Sequence, residues 1–264
     1  MGDIVPDGKE VPQFVEPWFA NEVEDYEYLG IDSKFPGVYN IYRFTSYTIS
    51  TNYYLGWLLG KLRASGVTIQ RYTLKSMAEA KSYTLPNGLT ANLIINSTGL
   101  GFNFLQDCND PNLTPIKGHV LIVENNLPYQ VTFNHPYPIE GSNPGEFLML
   151  FPRPEGGGVL GGIYNRDFVP FDTSLDQDYV SRLVENVRRH LPELLNKNRQ
   201  LRVAKHVIGF RPERLNGARV EFDPFDLEIL HNYGSGNSGF IESYGCAEKV
   251  LELIRIQEKV LAKL

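Results

Sequence analysis

The residues best suited to chemistry lie in Leu227–Ala247, LEILHNYGSGNSGFIESYGCA. An apolar strand runs into a glycine-rich turn, Gly234-x-Gly236-x-x-Gly239, and then into a helix. Glycines let a backbone take positive φ and approach a ligand closely. The N–H groups that open the helix suit an anion or a polarised ring. A dinucleotide fingerprint also needs a second strand and an acidic residue about twenty residues on. Here Ser243–Leu261 read as one helix, and Glu258, near the right offset, falls on it. The turn is therefore not expected to cradle a pyrophosphate, and a tight strand-to-helix turn without ligand is the plain alternative. The second candidate is Arg211, following a strand and set between Phe210 and Pro212. A guanidinium held there can grip a carboxylate through two hydrogen bonds, or equally pair with an acid for structure.

Other chemistries fail on spacing. Ser238, in Gly236-Asn237-Ser238-Gly239-Phe240, misses G-x-S-x-G by one glycine. There is no phosphate-binding G-x-x-x-x-G-K-[ST] loop and no H-E-x-x-H zinc motif. Cys108 and Cys246 are too few for a disulfide framework and lack metal spacing. The five histidines are scattered, as structural histidines are, so no metal is expected. A net charge of −6 and a pI near 5.5 argue against a nucleic-acid partner. No apolar run approaches a membrane span, and the polar, acidic start is unlike a signal peptide. Ala262-Lys263-Leu264 is related to the S-K-L peroxisomal address; the alternative is the frayed end of a Lys/Leu-rich helix.

The elements that must position these residues fall into two textures. Tyr47–Thr51 reads as a strand leading into a helix, Asn52–Ala64, with Leu55, Leu58, Leu59 and Leu62 on one face, Thr51 as its N-cap and Gly66 as its stop. Val67–Tyr72 alternates as a strand, Met77 to Asn87 reads as a short helix and turn, and Ala91–Thr98 is an apolar strand of parallel-sheet character. From residue 118 short strands follow: Gly118–Glu124, Gln130–Asn134, Phe147–Phe151 and Val159–Tyr164, the last two joined through Glu155-Gly156-Gly157-Gly158. Ser174 with Gln177 forms a capping box for a helix over Leu175–Leu191, ended by Pro192. Val203–Phe210 and Ala218–Phe222 are further strands. The chain thus reads as α/β at 46–103 and 208–264, with antiparallel β between.

With these pieces in place, the chain resembles the D-amino-acid oxidases, closest in texture to the fungal members. The resemblance is carried by NSTGLG (Asn96–Gly101), PIKGHVLIVE (Pro115–Glu124), FPRP with GGIY (Phe151–Pro154, Gly161–Tyr164), GFRPER (Gly209–Arg214) and HNYGSGNSGFIESYGCA (His231–Ala247). It implies an α/β fold of α+β mix: an incomplete FAD-binding Rossmann-like domain (46–103 and 208–264) interleaved with a largely antiparallel substrate domain (1–45 and 104–207). It further implies FAD as cofactor, a D-amino acid and O2 as substrates, and H2O2 as a product. A peroxisomal location agrees with Ala262-Lys263-Leu264 as the import-receptor signal, and a homodimer is left open.

By position, the resemblance assigns Arg211 to the substrate carboxylate and Tyr164 to the active site. Asn237 falls where a backbone carbonyl receives the substrate amine. Gly236, Asn237, Ser238, Gly239, Phe240 and Ile241 face the flavin, and Leu74, Thr98 and Gly99 lie where the family runs past the cofactor. Three departures stand beside this. The family's N-terminal βαβ unit, which carries its own G-x-G-x-x-G, is not among these residues. Met149 stands where a tyrosine hydroxyl is usual, and a thioether is only a weak acceptor. Ile241 leaves only its backbone to bond a flavin. The first departure implies that Leu93–Thr98 and Leu227–Asn232 lose a neighbour, so the chain is expected to hold FAD poorly and to aggregate. Two other readings stay open: an acidic D-amino acid as substrate, with Arg166 or Arg153 supplying charge although Tyr164 argues against it, and a non-catalytic remnant.

Overall fold

The computed structural model describes residues 2–4, 13–32, 35, 38–134, 142–166 and 171–262. In chain order the elements are β1 (Gly2–Ile4), β2 (Glu27–Gly30), β3 (Val38–Tyr39), β4 (Ile41–Arg43), α1 (Thr51–Ala64), α2 (Met77–Ser82), β5 (Ile94–Asn96), β6 (Leu113–Val123), β7 (Val131–Asn134), β8 (Leu148–Pro152), β9 (Gly158–Leu160), α3 (Gln177–His190), β10 (Val203–Arg214), β11 (Arg219–Phe222), β12 (Ile229–Tyr233) and α4 (Gly239–Leu261). The chain divides into two compact units, Met1–Ile69 with Lys117–Gly209, and Gln70–Ile116 with Phe210–Leu264. Residues 46–69 thus go with the first unit and 104–116 with the second, against the boundaries expected from sequence.

The first unit is built on a sheet ordered β10-β6-β9-β8-β7-β1-β3, antiparallel at β6–β9, β9–β8, β8–β7 and β1–β3 and parallel at β1–β7. One face is covered by α3, whose Tyr179, Leu183 and Val187 repeat at i, i+4 and i+8 and are buried against Leu121, Leu148, Leu150, Leu160 and Ile163. Asp176, not Ser174, caps α3 by accepting from the Tyr179 N–H; the Ser174 hydroxyl bonds Asp172 instead. The β8–β9 hairpin turns through Gly156 and Gly157, both at positive φ. Strand β9 is shorter than its alternation suggests, because Gly161 (φ +92°) breaks the pleat where Leu183 and Tyr179 press on it.

Two segments of this unit differ from expectation. Tyr47–Ser50 is irregular, and Ser50 rather than Thr51 is the N-cap of α1. The Leu55–Leu62 face of α1 is not buried among the described residues; Leu55 is 51% exposed and Leu62 40%.

The second unit holds a three-stranded sheet ordered β11-β12-β5, with β12 antiparallel to β11 and parallel to β5. Its core joins Met77, Phe102, Leu105, Leu113, Ile229 and Tyr233, with Leu74 and Ile94 packed alongside. Strand β12 is paired on both sides, which corrects the expectation that it loses a neighbour. Among the described residues β5 is paired on one side only, and Ile95 is 47% exposed rather than buried between layers. Gln70–Ser76 forms no strand, so the alternation of Val67–Tyr72 finds no pairing partner among the described residues. Strand β10 runs unbroken through Arg211 and Pro212, so Arg211 is in a strand rather than after one. The 23-residue α4 buries Val250 and exposes Ile241, Tyr244, Leu251, Ile256 and Val260. Of Ala262-Lys263-Leu264, only Ala262 lies within the described residues.

Candidate active site

Strands β5 and β12 are parallel, with Asn96 opposite His231, so their C-terminal ends lie side by side. In open α/β sheets ligands bind beyond those ends. Two glycine loops emerge there: Thr98-Gly99 after β5 and Gly234-Ser235-Gly236 after β12. Gly99, Gly234 and Gly236 take φ of +55°, +92° and +58°. A Cβ on Gly234 would come within 2.7 Å of the Arg214 Cβ. Gly239 does not share this conformation; it is the first residue of α4.

The strand carrying Arg211 is fastened to both loops. Gly236 donates its N–H to the Pro212 carbonyl (2.8 Å), Glu213 bridges Ser235, and Pro212 packs 3.7 Å from where a Gly99 Cβ would lie. Arg211 is half-buried. The turn closes through Ser238 N–H to the Ser235 carbonyl (3.0 Å), leaving Asn237 exposed. Ser238 stands at the N-cap of α4 without a side-chain cap, so its dipole end is not satisfied by that hydroxyl. Phe240 and Ile241 follow on the first turn, the latter 87% exposed. Leu74 lies further off, packed on the core of this unit.

Beneath the loops runs a polar chain that sequence reading missed. Asp110, 4% exposed, accepts from Arg214 Nε (2.8 Å) and the Tyr233 hydroxyl (2.8 Å). Arg219 reaches the same hydroxyl (3.2 Å) and lies 3.7 Å from Asp223. His231 Nε2 meets Asp223 (3.0 Å), and His231 Nδ1 meets the Asn96 amide nitrogen (2.9 Å). Burial pushes the Tyr233 hydroxyl up to about 12 and holds His231 below the usual imidazole range. Burial raises Asp110 and Asp223, but hydrogen bonds from Arg214 and Tyr233, and from His231, outweigh it and leave both below the ordinary carboxylate value. The only advance sign was polar residues, Asn96, His231 and Tyr233, inside otherwise apolar strands.

The remaining site candidates lie in the first unit. Met149 pairs with Thr132 and alternates with buried Leu148 and Leu150, which places it on the sheet face opposite α3. Tyr164, half-buried, lies beyond the end of β9 beside buried Ile163. The Arg166 guanidinium sits 5.4 Å over the Tyr164 ring, with a nitrogen 3.4 Å from its hydroxyl. Arg153 is engaged with Glu155 (2.5 Å).

A parallel strand pair with glycine loops at its C-terminal ends and a helix springing from one of them is the architecture of a nucleotide-cofactor-binding α/β protein. A family model described as FAD dependent oxidoreductase matches residues 11–253, and the chain belongs to that family. A D-amino-acid oxidase of Fusarium vanettenii is 35% identical over 245 residues, covering 90% of this chain and 66% of the relative. A D-aspartate oxidase of Talaromyces thermophilus is 27% identical over 91% of this chain and 61% of its own length. The chain thus spans about two thirds or less of either relative. The crystal structure of glycine oxidase from Geobacillus kaustophilus superimposes with a TM-score of 0.68 at 14% identity, over 90% of this chain and 65% of that one, a likeness of fold.

The residues present fit one edge of FAD. Gly99 and Gly236 are half-buried glycines at positive φ, and Thr98, Asn237, Phe240 and Ile241 beside them are exposed. Thr98, Gly99 and Gly236–Ile241 are the residues that would hold it.

Proposed function

We propose that this chain is an FAD-dependent oxidase that deaminates D-amino acids to imino acids, and so to 2-oxo acids, with formation of H2O2. The observation that carries the reading is the junction at Pro212, which sets Arg211 one residue from contacts with both glycine loops. FAD, when bound, would supply two-electron oxidising chemistry, with O2 as the terminal acceptor. Arg211 grips the α-carboxylate and so fixes the direction of the Cα–H bond. The Asn237 carbonyl is assigned to the substrate amine. No protein base is needed when the amine arrives neutral. The α4 N-terminus places positive potential where negative charge develops. Tyr164 and Met149 are assigned to substrate recognition.

The test is direct. The full chain, purified and supplied with excess FAD, is assayed for H2O2 from D-alanine, D-aspartate and L-alanine. Turnover of D-alanine alone supports the reading. No uptake of FAD favours a non-catalytic remnant.

One observation favours acidic D-amino acids as a second reading: the guanidinium of Arg166 lies over the Tyr164 ring. Arg166→Leu would then depress D-aspartate turnover and spare D-alanine. Ala262-Lys263-Leu264 is proposed as the signal read by the peroxisomal import receptor, placing the chain in the peroxisome matrix. A fluorescent fusion ending in this tripeptide, with Leu264 deleted as control, tests that assignment.

A further inference from the structure

The Asn96 side chain is oriented without ambiguity. Its Oδ1 accepts from the Thr98 backbone N–H (3.1 Å), which can only donate, and also from the Thr98 hydroxyl (2.7 Å). The amide nitrogen therefore points the other way, at His231 Nδ1 (2.9 Å). An amide N–H donates, so Nδ1 must present a lone pair, and the single ring proton sits on Nε2 facing Asp223 (3.0 Å). Asp223 is fixed in turn by the Phe225 N–H (2.9 Å) and by Arg219 at 3.7 Å. Asn96 and His231 are 2% and 1% exposed, so water does not compete for these bonds. Every proton in the series has one place to be.

The consequence falls at the surface. Thr98 is exposed, and its one hydroxyl proton is committed inward to Asn96. The outward side of Oγ1 carries lone pairs alone. We infer that Asp223, His231 and Asn96 act as a positioning relay that makes Thr98 a fixed hydrogen-bond acceptor at the cofactor edge, matched to a hydroxyl or ring N–H of FAD and mismatched to a phosphate oxygen. This inference rests on the FAD reading above. His231 is a positioning residue, acting through Asn96; Thr98 is the residue that touches the cofactor.

The experiment is a titration of FAD into the full chain, followed by flavin fluorescence, for the unaltered protein and four variants. Thr98→Val removes the acceptor and Thr98→Ser keeps it. His231→Leu breaks the relay, whereas the amide of His231→Gln can accept from Asn96 and donate to Asp223. We expect Thr98→Val and His231→Leu to weaken FAD about tenfold, the cost of one lost hydrogen bond, with Ser and Gln within about threefold of the unaltered chain. If His231→Leu does not fold, the Thr98 pair decides. Thr98→Val binding FAD as tightly as the unaltered chain overturns the inference. Tighter binding also overturns it, since a phosphate against those lone pairs would gain from their removal. Independently of any ligand, ring-nitrogen NMR of the apo chain at neutral pH should show His231 protonated on Nε2 alone; a proton on Nδ1 overturns the relay. If the unaltered chain takes up no FAD, the cofactor reading falls and this inference with it. If it does and Thr98→Val is silent, the inference alone falls.

Discussion

The backbone N–H of Gly236 donates to the carbonyl of Pro212 over 2.8 Å, tying the glycine turn to the strand that holds Arg211. The bond suits both partners. Pro212 has no N–H to offer a sheet neighbour, and its carbonyl is taken by a residue whose φ of +58° suits glycine.

The two glycines of this turn should respond differently to a methyl group. Gly236→Ala meets only Glu213 carbons at 3.7 Å and more, an ordinary contact distance, so its cost is the left-handed backbone alone, about 1 kcal/mol. Gly234→Ala adds a 2.7 Å clash with the Arg214 Cβ, displacing the side chain that bonds buried Asp110, and should cost about 3 kcal/mol. Urea midpoints of the two variants measure the difference. Equal midpoints would contradict the packing of Arg214 over Gly234.

Acid should weaken the first unit through His190. Its ring is 6% exposed, and among the described residues neither ring nitrogen has a hydrogen-bond partner. Burial, aided by Arg189, holds it down to about 4. The unfolded chain takes up the proton first, near pH 6.5. The stability from neutral His190 is therefore complete above pH 6.5 and lost as pH falls toward 4, by about 3 kcal/mol. His190→Phe should flatten the stability profile over that window. A profile with the same slope in the variant would show that His190 is not its source.

The side of β5 that is unpaired among the described residues should make the chain self-associate. An exposed edge with Ile95 on it invites pairing with another strand. Light scattering should show growth with concentration, and Ile95→Lys should suppress it while leaving the circular dichroism spectrum unchanged. Growth that persists unaltered in Ile95→Lys would move the source elsewhere, the exposed face of α4 being the next to test.

What the sequence showed plainly were elements whose period agrees with what buries them. Tyr179, Leu183 and Val187 mark α3 because a sheet lies beneath them, and the strands of β7 and β8 follow their alternation for the same reason. The Leu55–Leu62 stripe of α1 has the same period, yet none of its residues is buried among those described; periodicity announces a face without announcing its cover. The sequence ends this strand at Phe210, but β10 runs on through Pro212 at the margin of its sheet, where proline is tolerated. Arg211 and the glycine turn were legible as types and spacing. Their junction was not, because Pro212 and Gly236 are brought together by an isolated backbone bridge rather than by neighbourhood in the chain. Asn96 and His231, 135 residues apart, were invisible as a pair for that reason.

The central claim is that Arg211 holds a substrate carboxylate beside a cofactor seated on the glycine loops. The measurement is H2O2 release from D-alanine by the full chain in excess FAD, for the unaltered protein, Arg211→Lys and Arg211→Leu, with FAD affinity measured alongside. Loss of a two-pronged charged hydrogen bond should lower kcat/KM about a hundredfold or more in Arg211→Leu, with Arg211→Lys between, and FAD affinity within about threefold throughout. Arg211→Leu oxidising D-alanine as fast as the unaltered chain would contradict the account.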